Sequence, residues 1–421
     1  MLHSDCGQRP CASPAKDLYV QPHSPGPPAF MSRRGLLAGM MAMGAATALT
    51  GCSSAAPTGP AQTPSATFDY VRQARSYRTR AVLLGTAGGP MTWLPAHNGT
   101  DRPRHGIATA VVVGDAFYLV DCGMGVAHQL RKAQLGQDGD FHGYEGLRGV
   151  FLTHLHSDHT MDYFNIVLSG WYHGLPGPEP IGVYGPGDRG ALPTITGPED
   201  VAVVNPDNPT PGTVAMTVYL TQAYATDIND CLRDSGKPSL DHMIRPRDID
   251  IPAAVAARPN DNQFPEMDPF VVMEDDRVKV SATLVDHGAV YPAFAFRFDT
   301  DDGSITFSGD TAPSPNLVRL ARDTDILVHE VIDADWVRAV YGEPPYSPDE
   351  EGFIEHLLHS HTTIEQVGPV AEQAGAKTLV LSHLAPGNNP SERWQAASAG
   401  YSGELIIGED LMEIGVGART N

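Results

Sequence analysis

Three histidines and one aspartate follow an apolar run in the segment FLTHLHSDH, residues 151–159. On an extended backbone His154 and His156 point to the same side, whereas Asp158 and His159 begin the next turn and face a second position. Imidazole and carboxylate groups suit zinc, which can keep one coordination position open for a hydroxide. The segment therefore predicts a site for two metal ions, because a polar helix start would not require three histidines.

Other histidines and carboxylates also end apolar runs. Asp310 ends SITFSGD, which suits a buried and fixed position, although a turn aspartate would also fit there. Asp121 precedes Gly123 at the end of another run, where it either supports a metal ligand or forms a simple turn. His329 and Glu330 end DILVHE. A glutamate at that place either accepts a hydrogen bond from a catalytic histidine or belongs to a surface ion pair.

The segment at 151–159 resembles the HxHxDH motif of the metallo-β-lactamase superfamily and, within it, the ribonuclease Z and arylsulfatase-like branch. The resemblance extends from about Val82 to Gly408. Further matching stretches are LGTAGG (84–89), LVDCG (119–123) with Gln129-Leu130, FSGDT (307–311), VHE (328–330), HTT (361–363) and LSH (381–383). Any one of these stretches is a weak signal, but their common order along the chain is specific.

The resemblance implies a full set of ligands for two metal ions. One ion would be bound by His154, His156 and His287, and the other by Asp158, His159 and His383, with Asp310 bridging both. Two zinc ions per chain are the expected cofactors, and manganese or iron are the alternatives. A loop histidine beside glycine is often merely exposed, but the run that follows His287 reproduces the family pattern.

The resemblance also implies hydrolysis by a hydroxide that bridges the two ions. Asp158 would orient this hydroxide, and His361, supported by Glu330, would donate a proton to the leaving group. Asp121 and His329 are expected to support the ligands without binding metal.

Two further histidines, His356 and His359, stand close to His361 in EHLLHSHTT, residues 355–363. Their spacing is compatible with the solvated face of a helix. Because neither matches a motif of the family, we interpret both as surface or capping histidines and assign them no role in catalysis.

From Arg80 onward, short β-like runs alternate with helical patterns, and these elements must position the site. The runs lie at 81–86, 108–114, 116–123, 149–154 and 181–185, and again at 278–285, 293–298, 304–310, 325–330, 377–383 and 403–410. The helical patterns lie at 124–135, 159–169, 315–322 and 362–374. Two strand-rich halves, each with its own helices, predict an α/β fold with two β-sheets packed face to face and helices outside. The resemblance implies that these are the two mixed β-sheets of the metallo-β-lactamase αββα sandwich.

A segment at about 187–268, rich in Pro, Asp and Asn, interrupts this rhythm. It contains one strand-like run, VAMTVYLTQAY at 214–224. A structureless loop of this length is improbable inside a compact domain, so we predict an inserted lobe. The predicted organisation is an N-terminal extension with an export signal at 1–51, a flexible linker at 52–79 and a catalytic domain at 80–421.

The N-terminal extension carries the features of an export signal. Arg33 and Arg34 precede a run of uncharged small and apolar residues, as in a twin-arginine signal, and LTGC (49–52) resembles a lipobox with Cys52 as the lipidated residue. We therefore expect an exported protein of the cell envelope or periplasm, lipid-anchored to the outer face of the cytoplasmic membrane. The alternatives are an ordinary cleaved signal and translation from Met31.

The charge balance restricts the substrate. The 28 Lys and Arg residues against 50 Asp and Glu residues give a formal net charge of -22, whereas nucleic-acid binding depends on cationic side chains. We therefore expect no nucleic-acid partner and a small ester-type substrate: a phosphodiester, a sulfate ester, a carboxylic ester or a lactone. Dimers are common in this branch of the family, so a homodimer is compatible with the resemblance.

Two other functions are compatible with the same motifs. A ribonuclease Z-like 3′-tRNA endonuclease would use the same site, but the export signal and the acidic insert argue against it. The second is an iron-dependent oxidoreductase of the same fold. The flavo-di-iron relatives have a carboxylate where this chain has His156, which favours the hydrolase.

Overall fold

The structure is a computed structural model, and it describes residues 74–93, 103–136, 139–175, 177–195 and 201–419. These residues belong to one compact unit. The predicted export signal and the lipidation site Cys52 lie outside the described residues, so the division into extension, linker and catalytic domain stays a prediction. In the part of the chain that the structure describes, no helix is both long enough and apolar enough to cross a membrane.

The strands form two sheets of seven strands each. The first sheet contains β1 (Tyr77–Gly85), β2 (Ala108–Val113), β3 (Ala116–Val120), β4 (Leu147–Phe151), β5 (Ile181–Gly185), β6 (Ile244–Asp248) and β14 (Glu413–Arg419). The second sheet contains β7 (Phe270–Glu274), β8 (Lys279–Leu284), β9 (Phe294–Thr300), β10 (Gly303–Phe307), β11 (Ile326–Ile332), β12 (Thr378–Ala385) and β13 (Glu404–Ile407). The strand order is β14-β1-β2-β3-β4-β5-β6 in the first sheet and β13-β12-β11-β10-β9-β8-β7 in the second.

Both sheets are mixed and follow the same plan. In the first sheet the pairs from β14 to β3 are antiparallel and those from β3 to β6 are parallel. In the second sheet the pairs from β7 to β10 are antiparallel and those from β10 to β13 are parallel.

The described residues also form ten α-helices. They are α1 (Val126–Ala133), α2 (Ser157–Thr160), α3 (Tyr163–Gly170), α4 (Thr213–Ala223), α5 (Ala225–Arg233), α6 (Pro315–Leu320), α7 (Ala334–Tyr341), α8 (Pro348–His359), α9 (Ile364–Ala374) and α10 (Ser391–Trp394). Helices α1 and α3 contribute to the core outside the first sheet, and α6 and α9 to the core outside the second.

The inner faces of the sheets meet in a third core. Along β1, Ala81 and Leu83 point into this inner core, whereas Val82 and Leu84 point to the outer one, as the two-residue period of a strand requires. The Phe151 ring of the first sheet packs against Phe298 of the second, with the ring centroids 5.1 Å apart. The predicted αββα sandwich is confirmed.

The parallel strands bring the candidate site residues to one end of the sandwich. Strands β3 and β4 run parallel in the first sheet, as do β10, β11 and β12 in the second. Because parallel strands end at the same edge, the segments at their carboxyl ends gather there.

The predicted insert has regular structure. Strand β6 pairs in parallel with β5 and forms the edge of the first sheet. The prediction of a strand at 214–224 is wrong, because residues 213–223 form helix α4. Thr217 and Thr221 donate their hydroxyl hydrogens to the carbonyl oxygens four residues earlier, each at 2.8 Å, so β-branched residues that suggest a strand are accommodated in a helix.

Candidate metal centre

Asp121 and the segment after β4 form one side of the site. Asp121 follows β3 with a φ of 60° and accepts a hydrogen bond from the Thr153 N–H at 2.8 Å. His159 Nδ1 donates to Asp121 Oδ2 at 2.9 Å. This bond fixes the ring and leaves His159 Nε2 free to bind a metal. The structure therefore places Asp121 behind a candidate ligand, and not in a plain turn.

The first cluster consists of His154, His156 and His287, whose ligand nitrogens lie within 4.8 Å of one another. His154 and His287 are buried and His156 is half-buried. His287 Nδ1 donates to the carbonyl oxygen of Ser360 at 2.9 Å, so the opposite nitrogen, Nε2, faces the cluster. It lies 3.5 Å from His156 Nδ1. These nitrogens can surround one cation.

The second cluster consists of Asp158, His159, Asp310 and His383, all of them buried, with ligand atoms within 4.8 Å of one another. His383 Nε2 lies 3.3 Å from Asp158 Oδ2 and 3.3 Å from Asp310 Oδ2. His159 Nε2 lies 3.6 Å from Asp158 Oδ2. Two imidazoles and two carboxylates can therefore surround a second cation.

Asp310 connects the two clusters. Its Oδ2 atom lies 3.3 Å from His159 Nε2 and 3.3 Å from His383 Nε2, both in the second cluster. The same atom lies 3.9 Å from His154 Nε2 and 3.9 Å from His287 Nε2, both in the first cluster. One carboxylate can thus contact both cations.

Unpartnered buried atoms show that the residues fit metal ions. His154 Nε2, His159 Nε2 and Asp310 Oδ1 are buried and have no hydrogen-bond partner in the protein. Buried polar atoms in native proteins are almost always paired, so these atoms need a partner from outside the chain. Imidazole nitrogens and carboxylate oxygens are the ligands that zinc accepts. The two clusters are therefore consistent with a dinuclear metal site.

The protonation states of three candidate ligands, His154, His287 and Asp310, favour metal binding. Burial lowers the pKa of His154 and of His287 well below the ordinary value for histidine, which keeps both imidazoles neutral. Burial alone would raise the pKa of Asp310, but His383 and His159 outweigh it and hold the pKa well below its ordinary value. Neutral imidazoles and ionised carboxylates are the forms that bind metal ions.

Glu330 and His361 lie beside the two clusters. Glu330 Oε1 accepts hydrogen bonds from His361 Nδ1 at 3.1 Å, from the Thr311 N–H at 3.1 Å and from the Thr362 N–H at 3.0 Å. The carboxylate is buried, so it does not form a surface ion pair. Burial alone would lower the pKa of His361, but Glu330 and Asp310 outweigh it and raise the pKa to about 9. These two carboxylates therefore favour the protonated form of His361 at neutral pH.

Comparison with known proteins agrees with the fold and the clusters. No protein-family model matches the chain. The ribonuclease Z of Mycobacterium avium (strain 104) is 30% identical over 341 residues, which cover 80% of this chain and 98% of that relative. The chain belongs to the metallo-β-lactamase superfamily, as a distant relative of ribonuclease Z.

A second relative and a solved structure are also similar to this chain. The ribonuclease Z of Mycobacterium bovis (strain BCG / Pasteur 1173P2) is 28% identical over 342 residues, covering 80% of this chain and 98% of that relative. The crystal structure of human tRNase Z, short form, is 19% identical, covers 80% of this chain and 100% of that chain, and has a TM-score of 0.51, which shows a common fold. With its buried His/Asp clusters, this member of the superfamily is a metal-dependent hydrolase, which confirms the predicted enzyme class.

His329 belongs to neither metal cluster of the hydrolase. The side chain is fully buried, and its Nδ1 donates to the carbonyl oxygen of Glu330 at 2.7 Å. It lines a small interior cavity of about 30 Å³ together with Asp121 and Asp310. The structure therefore places His329 beneath the site, next to residues that contact the candidate ligands.

His356 is a residue of the site that the sequence did not indicate. It lies in the last turn of α8, with its ring centroid 4.9 Å from that of His287 and 5.4 Å from that of His361. The interpretation of His356 as a surface residue is wrong, because the fold of α8 turns this side chain toward the clusters. His359 is exposed and lies 3.1 Å from Glu355, so the interpretation holds for His359.

Proposed function

We propose that this hydrolase is an exported dinuclear zinc enzyme that cleaves a small ester-type substrate: a phosphodiester, a sulfate ester, a carboxylic ester or a lactone. The observation that carries the proposal is the position of Asp310. One of its oxygens lies within 3.9 Å of imidazole nitrogens from both clusters, so two ions bound there would share a ligand. Two-metal sites occur in hydrolases such as phosphatases and nucleases, which cleave phosphate esters.

The residues around the clusters supply the remaining chemistry. Zinc held in the clusters would supply a nucleophile at neutral pH and stabilise the negative charge of the transition state. Burial would raise the pKa of Asp158, but His159 and His383 outweigh it and lower the pKa, so Asp158 is ionised and can accept a hydrogen bond from an attacking water. His361 donates one N–H to Glu330 and keeps the other for the leaving group.

Charge favours a small substrate over a polyanion. The predicted insert at 187–268 carries 13 acidic residues against six basic ones. A negatively charged surface repels the phosphate backbone of a nucleic acid, because nucleic-acid binding depends on cationic side chains that displace counterions. A substrate with one negative charge can still be attracted by two bound cations, whose field dominates at short range.

Ribonuclease activity is the second candidate, because the relatives at 28% to 30% identity carry the name ribonuclease Z. The test is the cleavage of a precursor tRNA with a 3′ trailer beside the small esters. Cleavage of the RNA at a higher kcat/KM than any small ester would replace the first proposal with this one.

The proposal of export rests on the sequence of residues 32–52 alone. It predicts that Cys52 becomes the first residue of a lipidated mature chain. Membrane fractionation followed by mass spectrometry of the N-terminal peptide tests it. Recovery of the unprocessed N-terminus in the soluble fraction would contradict it, and cleavage without lipid would support an ordinary signal.

A panel of chromogenic substrates tests the catalytic proposal. The purified protein is assayed with bis(4-nitrophenyl) phosphate, 4-nitrophenyl sulfate, 4-nitrophenyl acetate, dihydrocoumarin and nitrocefin. We expect cleavage of one ester class far above the others, with nitrocefin inert, and loss of that activity in His154→Ala. Bound iron with no hydrolysis in the panel would overturn the proposal and favour an oxidoreductase.

A further inference from the structure

A cavity of about 650 Å³ opens beside the first metal cluster and is lined there by His156 and His356. Thr210 and Tyr291 add hydroxyl groups to the lining. Most of the other lining residues are aliphatic or proline, and they include Leu155, Leu192, Met216, Val290 and Pro292. A cavity of this size and composition is typical of pockets for small organic molecules.

Arg189 is the one Asp, Glu, Lys or Arg residue among the described lining residues. Its Nη1 donates to the Ala289 carbonyl oxygen at 2.8 Å. Its Nη2 donates to the Pro259 carbonyl oxygen at 2.7 Å and to Asn260 Oδ1 at 2.7 Å. Two of its three nitrogens are thus occupied, and the side chain is only 9% exposed. These bonds hold parts of the wall together, whereas Arg189 Nε is buried without a hydrogen-bond partner in the protein.

His356 stands where the cavity meets the metal clusters. It lines the cavity, and its ring also lies 4.9 Å from the ring of His287 and 5.4 Å from the ring of His361. His156, a residue of the first cluster, lines the same cavity, so a molecule bound there can reach the candidate metal centre.

We propose that the cavity is a specificity pocket for an uncharged apolar group, an alkyl chain or an aromatic ring, attached to the ester that is cleaved. This inference rests on the proposed hydrolase function and names its substrate class. Because most of the lining residues are aliphatic or proline, an apolar group gains free energy by leaving water for this cavity. Each methylene group that is buried should raise affinity up to about fourfold.

The kinetic test uses esters that differ only in chain length: 4-nitrophenyl acetate, butanoate and hexanoate, and the methyl and hexyl diesters of 4-nitrophenyl phosphate. For the ester type that is cleaved, we expect kcat/KM to rise at least about tenfold from the shortest to the longest chain. Met216→Glu should abolish this rise. Val218→Glu, on the exposed face of the same helix α4, is the matched control and should preserve it.

A binding test gives a readout that does not depend on turnover. Methylphosphonate and hexylphosphonate are titrated calorimetrically into the zinc-loaded protein, and hexylphosphonate should bind at least about tenfold more tightly. Leu192→Asp, which changes an exposed side chain of the cavity wall, provides a second variant if Met216→Glu does not fold. Its control is Val204→Asp, which is 85% exposed and lies outside the cavity lining.

The kinetic test and the binding test together distinguish a wrong hydrolase proposal from a wrong proposal of an apolar pocket. Tight binding of hexylphosphonate without cleavage of any ester would overturn the hydrolase proposal and retain the apolar pocket. Cleavage with no dependence on chain length, together with equal binding of the two phosphonates, would overturn the pocket and retain the hydrolase. The pocket is supported only if the preference for the longer chain is lost in a wall variant and kept in its control.

Discussion

Asp310 and His361 approach each other closely, with 4.0 Å between Asp310 Oδ2 and His361 Nδ1, yet we expect them to act differently. Asp310 faces both metal clusters, and its second oxygen has no partner in the protein. His361 is hydrogen-bonded to Glu330 and is absent from the two clusters that Asp310 connects. Asp310 should therefore bind metal ions, and His361 should transfer a proton.

This difference predicts that substitutions of the two residues have distinct effects. Asp310→Ala should lose both metal ions and all measurable turnover, because it removes the shared ligand. His361→Ala should lower kcat by about 10² to 10⁴, the usual effect of a general acid, and keep its metal content. Metal analysis and kcat on the purified variants check this, and full activity without His361 would exclude it as the proton donor.

His356 should contribute to substrate binding more than to metal binding. We expect His356→Ala to raise KM for the longest cleaved ester by about fivefold to tenfold, the effect of one lost hydrogen bond, with the metal content unchanged. His356→Gln should recover part of the loss, because an amide can also donate a hydrogen bond. His359→Ala is the control on the exposed side of α8 and should match the wild type.

A loss of metal in His356→Ala would contradict this prediction and make His356 a ligand. An unchanged KM would remove it from the substrate site.

The sequence indicates some residues of the site better than others. His154, His156, Asp158 and His159 follow a single strand, so a local pattern is enough to propose that they act together. Asp310 is far away in sequence and requires either the fold or a family resemblance. His356 lies on a helix that was not predicted, and only the register of that helix shows which of its histidines faces the clusters.

At the scale of elements, eleven strands were indicated by apolar runs between turn signals, and the structure has a strand at each of those runs. The edge strand β6, IRPRD, was missed because it has one buried residue and so lacks an apolar pattern. Helix α4 was mistaken for a strand because Val and Thr have high β-propensity, which tertiary contacts can override. Its first turn is also held by the Val214 N–H, which donates to Asp248 Oδ1 at 2.9 Å.

Asp333 joins several elements near the site. It precedes α7 and accepts a hydrogen bond from the Asp335 N–H in the first turn of that helix. Its carboxylate also accepts from Arg393 Nη2 at 2.7 Å and from Asn389 Nδ2 at 2.7 Å. One buried side chain therefore links the end of β11, helix α7 and helix α10.

We expect Asp333→Ala to lower the free energy of unfolding by about 1 to 3 kcal/mol, because it leaves buried hydrogen-bond donors unpaired, although Arg393 keeps its ion pairs with Asp335 and Glu365. The control is Asp335→Ala, whose exposed carboxylate also contacts Arg393, at 3.2 Å, and which should change stability by less than about 1 kcal/mol. Urea unfolding of the three proteins measures both values. An equal loss of unfolding free energy in the two variants would show that the burial of Asp333 does not make its contact with Arg393 more stabilising.

The same ion pair should make stability depend on pH. Burial would raise the pKa of Asp333, but hydrogen bonds from Arg393 and Asn389 outweigh it and lower the pKa. The ionised carboxylate therefore stabilises the fold above the unfolded-state pKa, near 4, and this contribution is lost as pH falls through the lowered value. The difference in unfolding free energy between wild type and Asp333→Asn should stay constant above about pH 5 and shrink below about pH 4. A constant difference down to pH 2 would contradict this.

At the scale of the molecule, both metal clusters join the two sheets. His154 and His156 follow a strand of the first sheet, and their partner His287 follows a strand of the second. The second cluster combines residues after β4 with Asp310 and His383 from the second sheet. A cation bound in either cluster therefore connects the halves of the sandwich, and metal binding should be coupled to stability.

This coupling predicts a large effect of metal removal. At a free zinc concentration about 1,000 times the Kd, one site adds about 4 kcal/mol to the free energy of unfolding. Zinc should therefore raise the melting temperature of the metal-stripped protein by several degrees in calorimetry, because stability and melting temperature change together. Asp310→Ala should show no such rise, and a wild type with the same melting temperature with and without zinc would contradict the coupling.

The most direct test of the dinuclear mechanism is a titration of zinc into metal-stripped protein, with bound zinc measured by mass spectrometry and hydrolysis of the best substrate followed in the same samples. We predict that two zinc ions bind per chain and that full activity requires both. Saturation of the activity at one zinc per chain, or hydrolysis that persists in the metal-free protein, would contradict a dinuclear mechanism.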